Sequence, residues 1–211
     1  GIEEITVTAS KRGEMDLQDF AGSIQAFGAE QIRNQNLFNM EDYSKFTPSM
    51  AYFGNQPGAG RVFFRGISDA PDAFIVSSSA AVYIDEQPIT QSKQADPRLV
   101  DIERVEALSG PQGTLYGKNT NAGAISITTK RPNFEETEGH LEATAGNYST
   151  QRVTGSLSGP ISDTFAYRVA GSFHERDGYL ENLAGPDLND ADEWNVVGKL
   201  QWEPTDELSV L

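Results

Sequence analysis

Few residues in this chain could do chemistry. Its two histidines, His140 and His174, lie far apart in alternating sequence, and neither has a partner at metal-ligand spacing. Asp187, Asn189, Asp190, Asp192 and Glu193 crowd together, but Ala191 stands where a calcium loop needs an oxygen and no glycine follows, so they read as a solvated acidic loop. The nearest approach to a phosphate cradle runs from Gly113 to Lys118. It is one residue short of a P-loop and has Asn119 where Ser or Thr should meet magnesium. No Ser/His/Asp constellation occurs, and no carboxylate pair stands out among the 31 acids. With no cysteine, neither a disulfide nor a thiolate site can form. The chain is expected to be no enzyme, with no metal and no cofactor.

Two other patterns suit binding. Ile5, Thr6, Val7, Thr8 and Ala9 form a short, β-branched stretch near a free end, able to pair with an exposed sheet edge of another protein or to serve as an ordinary first strand. Lys11, Arg12 and Gly13 then begin a polar stretch suited to a tether. Arg61, Arg65, Glu103, Arg104 and Glu106 carry charge on strands that otherwise look buried; such charges are either paired or face solvent. Sixteen Lys and Arg against 31 acids give a net charge of -15 over 211 residues. That excess repels phosphate backbones, so no nucleic-acid partner is expected.

The elements that must position these groups fall into two halves. Up to Pro132 the chain is mixed. A short helix follows Gly28 over 29–36, and a second opens at Asn39 with Asp42 as an approximate capping box and stops before Pro48. Met40, Tyr43 and Phe46 are expected to share its buried face. Extended runs follow at 61–65, 81–85, 104–108 and 124–129, and the whole reads as a small α+β domain. Gly110, Gly113, Gly117 and Gly123 permit tight turns and positive φ.

Beyond Pro132 the pattern becomes long period-two segments, as expected where one face meets lipid and the other a wet lumen; a soluble β-sandwich alternates in the same way. Leu141, Ala143 and Ala145 share one face, then Val153, Gly155 and Leu157, then Phe165, Tyr167, Val169, Gly171 and Phe173. In the fourth segment they are joined by Trp194, Val196, Gly198, Leu200 and Trp202. Eight steps separate Trp194 from Trp202, roughly 26 Å of strand or about 20 Å along a membrane normal at ~40° tilt, which suits a two-ended girdle. A short turn at 159–163, a long acidic link at 175–193 and a short turn at 204–207 fit inner turns and outer loops. No apolar run reaches the roughly 20 residues of a membrane helix. Gly1 opens without a basic-then-apolar leader, so an exported chain is expected as mature sequence, and a fifth strand from Leu208 reads as truncated.

A specific run is Asp101-Ile102-Glu103-Arg104-Val105-Glu106-Ala107-Leu108-Ser109-Gly110-Pro111-Gln112-Gly113-Thr114-Leu115-Tyr116-Gly117, continuing through Ala122-Gly123-Ala124-Ile125-Ser126-Ile127-Thr128-Thr129-Lys130-Arg131-Pro132. It resembles the C-terminal signature of the plug domain in TonB-dependent receptors. Phe64-Arg65-Gly66-Ile67, Val82-Tyr83-Ile84-Asp85-Glu86-Gln87-Pro88-Ile89, Phe46-Thr47-Pro48 and Glu4-Ile5-Thr6-Val7-Thr8-Ala9 match in the family's order.

The resemblance implies three parts: a box and tether over 1–19, an α+β plug of small mixed sheet and short helices over 20–131, and the first antiparallel strands of a large transmembrane β-barrel over 132–211. A 22-stranded closure needs several hundred further residues at about 10 per strand plus connections. It further implies a receptor in the Gram-negative outer membrane, in contact with its lipid, with the N-terminal segment in the periplasm. By the same resemblance Ile5 to Ala9 are expected to be the TonB box, engaged by TonB of the inner-membrane energising complex, with the plug as the gate. Ferric siderophore is the implied cargo, with cobalamin, haem or glycan as alternatives. The charged set implies a plug–barrel lock, although receptors often have Arg where this chain has Ser109. Tyr52, Phe53 and Phe74 are candidate ligand contacts on upper loops around 66–79 and 90–96. The main rival from another class is a passive channel or adhesin sharing barrel strands, and the second is a soluble β-rich binding or carbohydrate-active domain.

Overall fold

The computed structural model describes residues 6–7, 15–17, 22–56, 59–67, 79–89, 99–205 and 207–211. Ile5, Thr8, Ala9, Phe74, the tether at 11–13 and most of both upper loops lie outside the described residues. The chain divides into two compact units, 1–129 and 130–211.

In the first unit, β1 (Thr6–Val7) pairs antiparallel with β2 (Met15–Asp16). The main sheet has five strands in the order β3 (Ser23–Gly28), β8 (Ile102–Ser109), β9 (Gly123–Thr129), β6 (Ala80–Ile84) and β7 (Gln87–Ile89). All neighbours are antiparallel except β6 and β9. A separate hairpin joins β4 (Met50–Gln56) to β5 (Ala59–Phe64).

Two of the three short helices carry clear end signals. In α1 (Ala29–Asn34) the chain leaves through Asn36 at φ 54°, with Leu37 N–H bonded to Ile32 O and Asn36 N–H to Arg33 O. That is the paired closure of a Schellman motif, with Asn taking the left-handed position usually held by Gly. Helix α2 (Met40–Phe46) has a true capping box: Asn39 Oδ1 accepts Asp42 N–H at 2.9 Å, and Asp42 Oδ2 accepts Asn39 N–H at 3.4 Å.

One face of the sheet packs on Phe27, Met40, Tyr43, Phe64, Val105 and Ile127, with Phe27 and Tyr43 edge to face at 5.4 Å. Phe46 departs from expectation: it is 45% exposed. Six residues at ~100° each carry it about 120° away from Met40, and the inward slot one turn on goes to Thr47, which is buried.

The glycine-rich segment folds into α3 (Gly113–Tyr116), closed by Gly110 N–H to Ala122 O and Gln112 N–H to Thr120 O. Gly110 and Gly117 take positive φ, at 96° and 75°, whereas Gly113 and Gly123 do not. Gly123 is needed for another reason: a Cβ there meets Leu108 O and Phe64 at 2.5 Å.

The second unit is one antiparallel meander of β10 (Glu138–Ala145), β11 (Gln151–Ser162), β12 (Phe165–Arg176), β13 (Ala191–Thr205) and β14 (Leu208–Val210). The strands run further than expected, leaving links 163–164, 177–190 and 206–207. Pro160 is tolerated inside β11 because β10 begins at Glu138, opposite Ser158, so no strand asks for its missing N–H on that side. A register shift between Pro160 and Ser162 marks the place.

Candidate gate and apolar wall

In the strand register, Val153 faces Phe173 and Phe173 faces Trp194, while Phe165 faces Trp202 and Tyr167 faces Leu200. The residues expected on one face therefore do share it, and the antiparallel pairing puts Trp194 and Trp202 at opposite ends. This face is exposed: Trp194 at 75%, Val196 at 67%, Leu200 at 58%. The opposite face buries Ser158, Ala166, Arg168, Ala170 and Ser172 and carries the ion pair Arg168 to Glu138 at 2.8 Å, with His174 Nδ1 3.8 Å from the Glu193 carboxylate. A sheet that is apolar where exposed and polar where buried inverts the soluble pattern.

In the first unit, β8 carries Glu103, Arg104 and Glu106 together. Arg104 Nε lies 3.3 Å from Glu106 Oε1, and its guanidinium is 3.9 Å from Glu103. Residues two apart on a strand share a face, and this pair sits on the side of the sheet opposite the main core. Arg61 lies on β5 in the other sheet, and Arg65 is exposed in the turn after it at φ 52°. The expected set of five thus separates into a β8 trio and two hairpin arginines.

Ser109 points into the main core face, and its hydroxyl lies 2.5 Å from that of Ser49. Tyr52 packs its ring across the hairpin, where a Cβ on Gly60 has no room, while Phe53 is 63% exposed. Val7, in the short β1 pair, is buried.

Two features of this unit have no single residue that announces them in the sequence. Asp85 and Glu86 form the two-residue link of the β6–β7 hairpin with φ of 47° and 66°, and the Asp85 carboxylate accepts Thr129 N–H at 2.9 Å and the Thr129 hydroxyl. Two β-prone runs separated by two polar residues are the signal that predicts such a hairpin. Tyr83 and Tyr116 stack edge to face at 5.0 Å, with Tyr83 OH donating to Tyr116 O. Burial pushes the Tyr116 phenol up to about 12, a hydrogen bond with Ser126 pulls it down, and Glu106 adds to the rise. Among the described residues no three His, Asp or Glu side chains gather as a metal site.

The TonB-dependent Receptor Plug Domain family matches residues 16–124, more than half the chain. The chain belongs to the TonB-dependent receptor plug family. Over 216 residues it is 26% identical to the ferrioxamine receptor of Yersinia enterocolitica, covering 100% of this chain and 29% of that one. It is 30% identical over 170 residues to the pesticin receptor of Yersinia pestis, covering 77% and 24%. The crystal structure of the ferric yersiniabactin uptake receptor of Yersinia pestis superposes with a TM-score of 0.80 at 27% identity, covering 88% of this chain and 29% of that one. The chain thus spans between 24% and 29% of the length of these proteins. The family is one of receptors rather than enzymes. The plug of this chain leads directly into antiparallel strands of the receptor barrel, and those strands do not close.

Proposed function

We propose that the full-length protein is a TonB-dependent receptor of the Gram-negative outer membrane that imports a ferric siderophore, with the plug as gate. The observation that carries this reading is a plug joined without interruption to a sheet whose exposed face is apolar and whose buried face is charged. The relatives are named for ferrioxamine and pesticin, and the superposed structure for ferric yersiniabactin uptake, which supports iron chelates as cargo. A passive channel has no use for a plug of this size.

In this reading TonB of the inner-membrane complex pairs with the box at Ile5, Thr6, Val7, Thr8 and Ala9 from the periplasm, adding a strand to its own sheet edge. Trp194 and Trp202 sit at the two interfaces of the lipid. Arg61, Arg65 and the trio Glu103, Arg104 and Glu106 form the charges that lock plug to wall. Phe53, exposed on the β4–β5 hairpin, Tyr52 next to it and Phe74 are the candidate contacts for the ligand in this reading. The test is uptake of radiolabelled ferric siderophores by cells expressing the full-length protein, with and without the energising complex. The reading expects accumulation only in energised cells; equal passage in both makes the protein a passive channel.

A further inference from the structure

The stretch joining the plug's last strand to the first wall strand, 130–137, is bound at both ends to the polar face of the sheet. Lys199 Nζ on β13 donates to Lys130 O at 3.1 Å. Asn133 N–H donates to Ser158 Oγ on β11 at 2.9 Å, and the same hydroxyl donates to Tyr167 O at 3.0 Å. Glu138, which opens β10, reaches Arg168 on β12 at 2.8 Å.

These anchors form a line. Glu138, Ser158, Arg168 and Lys199 are successive cross-strand partners in a single row, so the stretch passes over three strand intervals, about 14 Å, from β13 back to β10. Ser158 is fully buried, and Arg168 is 4% exposed. Asn133 Oδ1 accepts the N–H groups of Glu135 and Glu136 at 2.8 and 3.3 Å, which curls the chain toward β10. Arg168 and Lys199 are like charges directly opposite one another, a repulsive arrangement. The Glu138 carboxylate and the Lys130 carbonyl, one at each end of the stretch, offset that repulsion. The stretch therefore completes the row instead of merely lying on it.

We propose that residues 130–137 are a fixed strap, held by Ser158 and Lys199 as positioning residues, which keeps the plug's C-terminal end fastened to the wall while its N-terminal part is drawn out. The fastening stands on the contacts above; the drawing-out rests on the proposed function. Pull on the N-terminus then loads strand β3, which among the described residues has β8 as its one sheet neighbour.

Three measurements on the full-length receptor test this. In detergent, without cargo or TonB, amide exchange over 130–137 is expected to be as slow as in β11, and about fivefold faster at Asn133 in Ser158→Ala, from the loss of one hydrogen bond. Fast exchange in the wild type overturns the strap whatever the protein transports. In cells, a disulfide between Asn133→Cys and Ser158→Cys is expected to leave energised uptake unchanged, whereas uptake that stops and returns on reduction shows that the strap must open. Ser158→Ala with Lys199→Gln is expected to admit a large antibiotic in energised cells only; a channel that stays tight counts against the proposal. Wild-type cells that accumulate no ferric siderophore refute the proposed function and leave the exchange result standing.

Discussion

Arg104 and Glu106, two residues apart on β8, hold each other inside the plug: Nε to Oε1 is 3.3 Å, and the Glu106 side chain is fully buried. Side chains at i and i+2 of a strand share a face, so each charge has a counter-ion on its own strand. Removing Glu106 takes the nearer of two carboxylates from the buried Arg104 guanidinium. Glu106→Ala is expected to destabilise the plug by about 3–5 kcal/mol, and Glu106→Leu with Arg104→Met to recover most of it. Thermal unfolding and protease sensitivity of the full-length receptor measure both; a harmless Glu106→Ala contradicts the pairing.

The cap of α2 gives a smaller and local effect. Asn39→Ala removes the side-chain acceptor for Asp42 N–H and should cost about 1 kcal/mol. Phe46→Ser, on the exposed side of the same helix, should stay within about 0.5 kcal/mol. Chemical denaturation of the two variants side by side separates cap from face.

Tyr116 makes the plug sensitive to alkali. Burial pushes its phenol up to about 12 from an ordinary value of 10.0, so the folded plug holds the proton more tightly than the unfolded chain. The resulting stability is intact below about pH 10 and is lost progressively between about pH 10 and about pH 12. Unfolding midpoints at pH 9, 11 and 12, with tyrosinate absorbance alongside, should show this fall, and Tyr116→Phe should make it less steep, the remainder coming from Tyr43 and Tyr83, whose phenols burial also raises.

Trp194 and Trp202 are expected at the two lipid interfaces. In reconstituted receptor, the fluorescence lost on Trp194→Phe, and that lost on Trp202→Phe, should each be quenched more by bromine near the headgroups than by bromine at the chain ends. Deep quenching of either residue contradicts the girdle.

Much of this fold was legible because its signals are local. The α2 cap depends on residues three apart, and the wall strands on an alternation that pairing leaves intact, so the shared face of Trp194, Phe173 and Val153 followed from period alone. What was not legible depends on distant neighbours. The Ser109 hydroxyl meets Ser49 across 60 positions, and no spacing rule connects them. β3, whose sequence is Ser-Ile-Gln-Ala-Phe-Gly, carries only one β-branched residue and becomes a strand because β8 offers it an edge. Phe46 was misplaced because spacing by threes tracks a helix face for one turn and then drifts off it. The strap at 130–137 reads as plain linker until the buried Ser158 opposite Asn133 gives it an anchor.

In the proposed function the N-terminal box drives the gate. Val7→Pro removes a backbone donor from that box and breaks strand addition. Energised uptake of a ferric siderophore by the full-length receptor, compared between wild type and Val7→Pro at equal surface abundance and equal ligand binding, is predicted to fall to the level of cells lacking the energising complex. Uptake by Val7→Pro at the wild-type rate would contradict it.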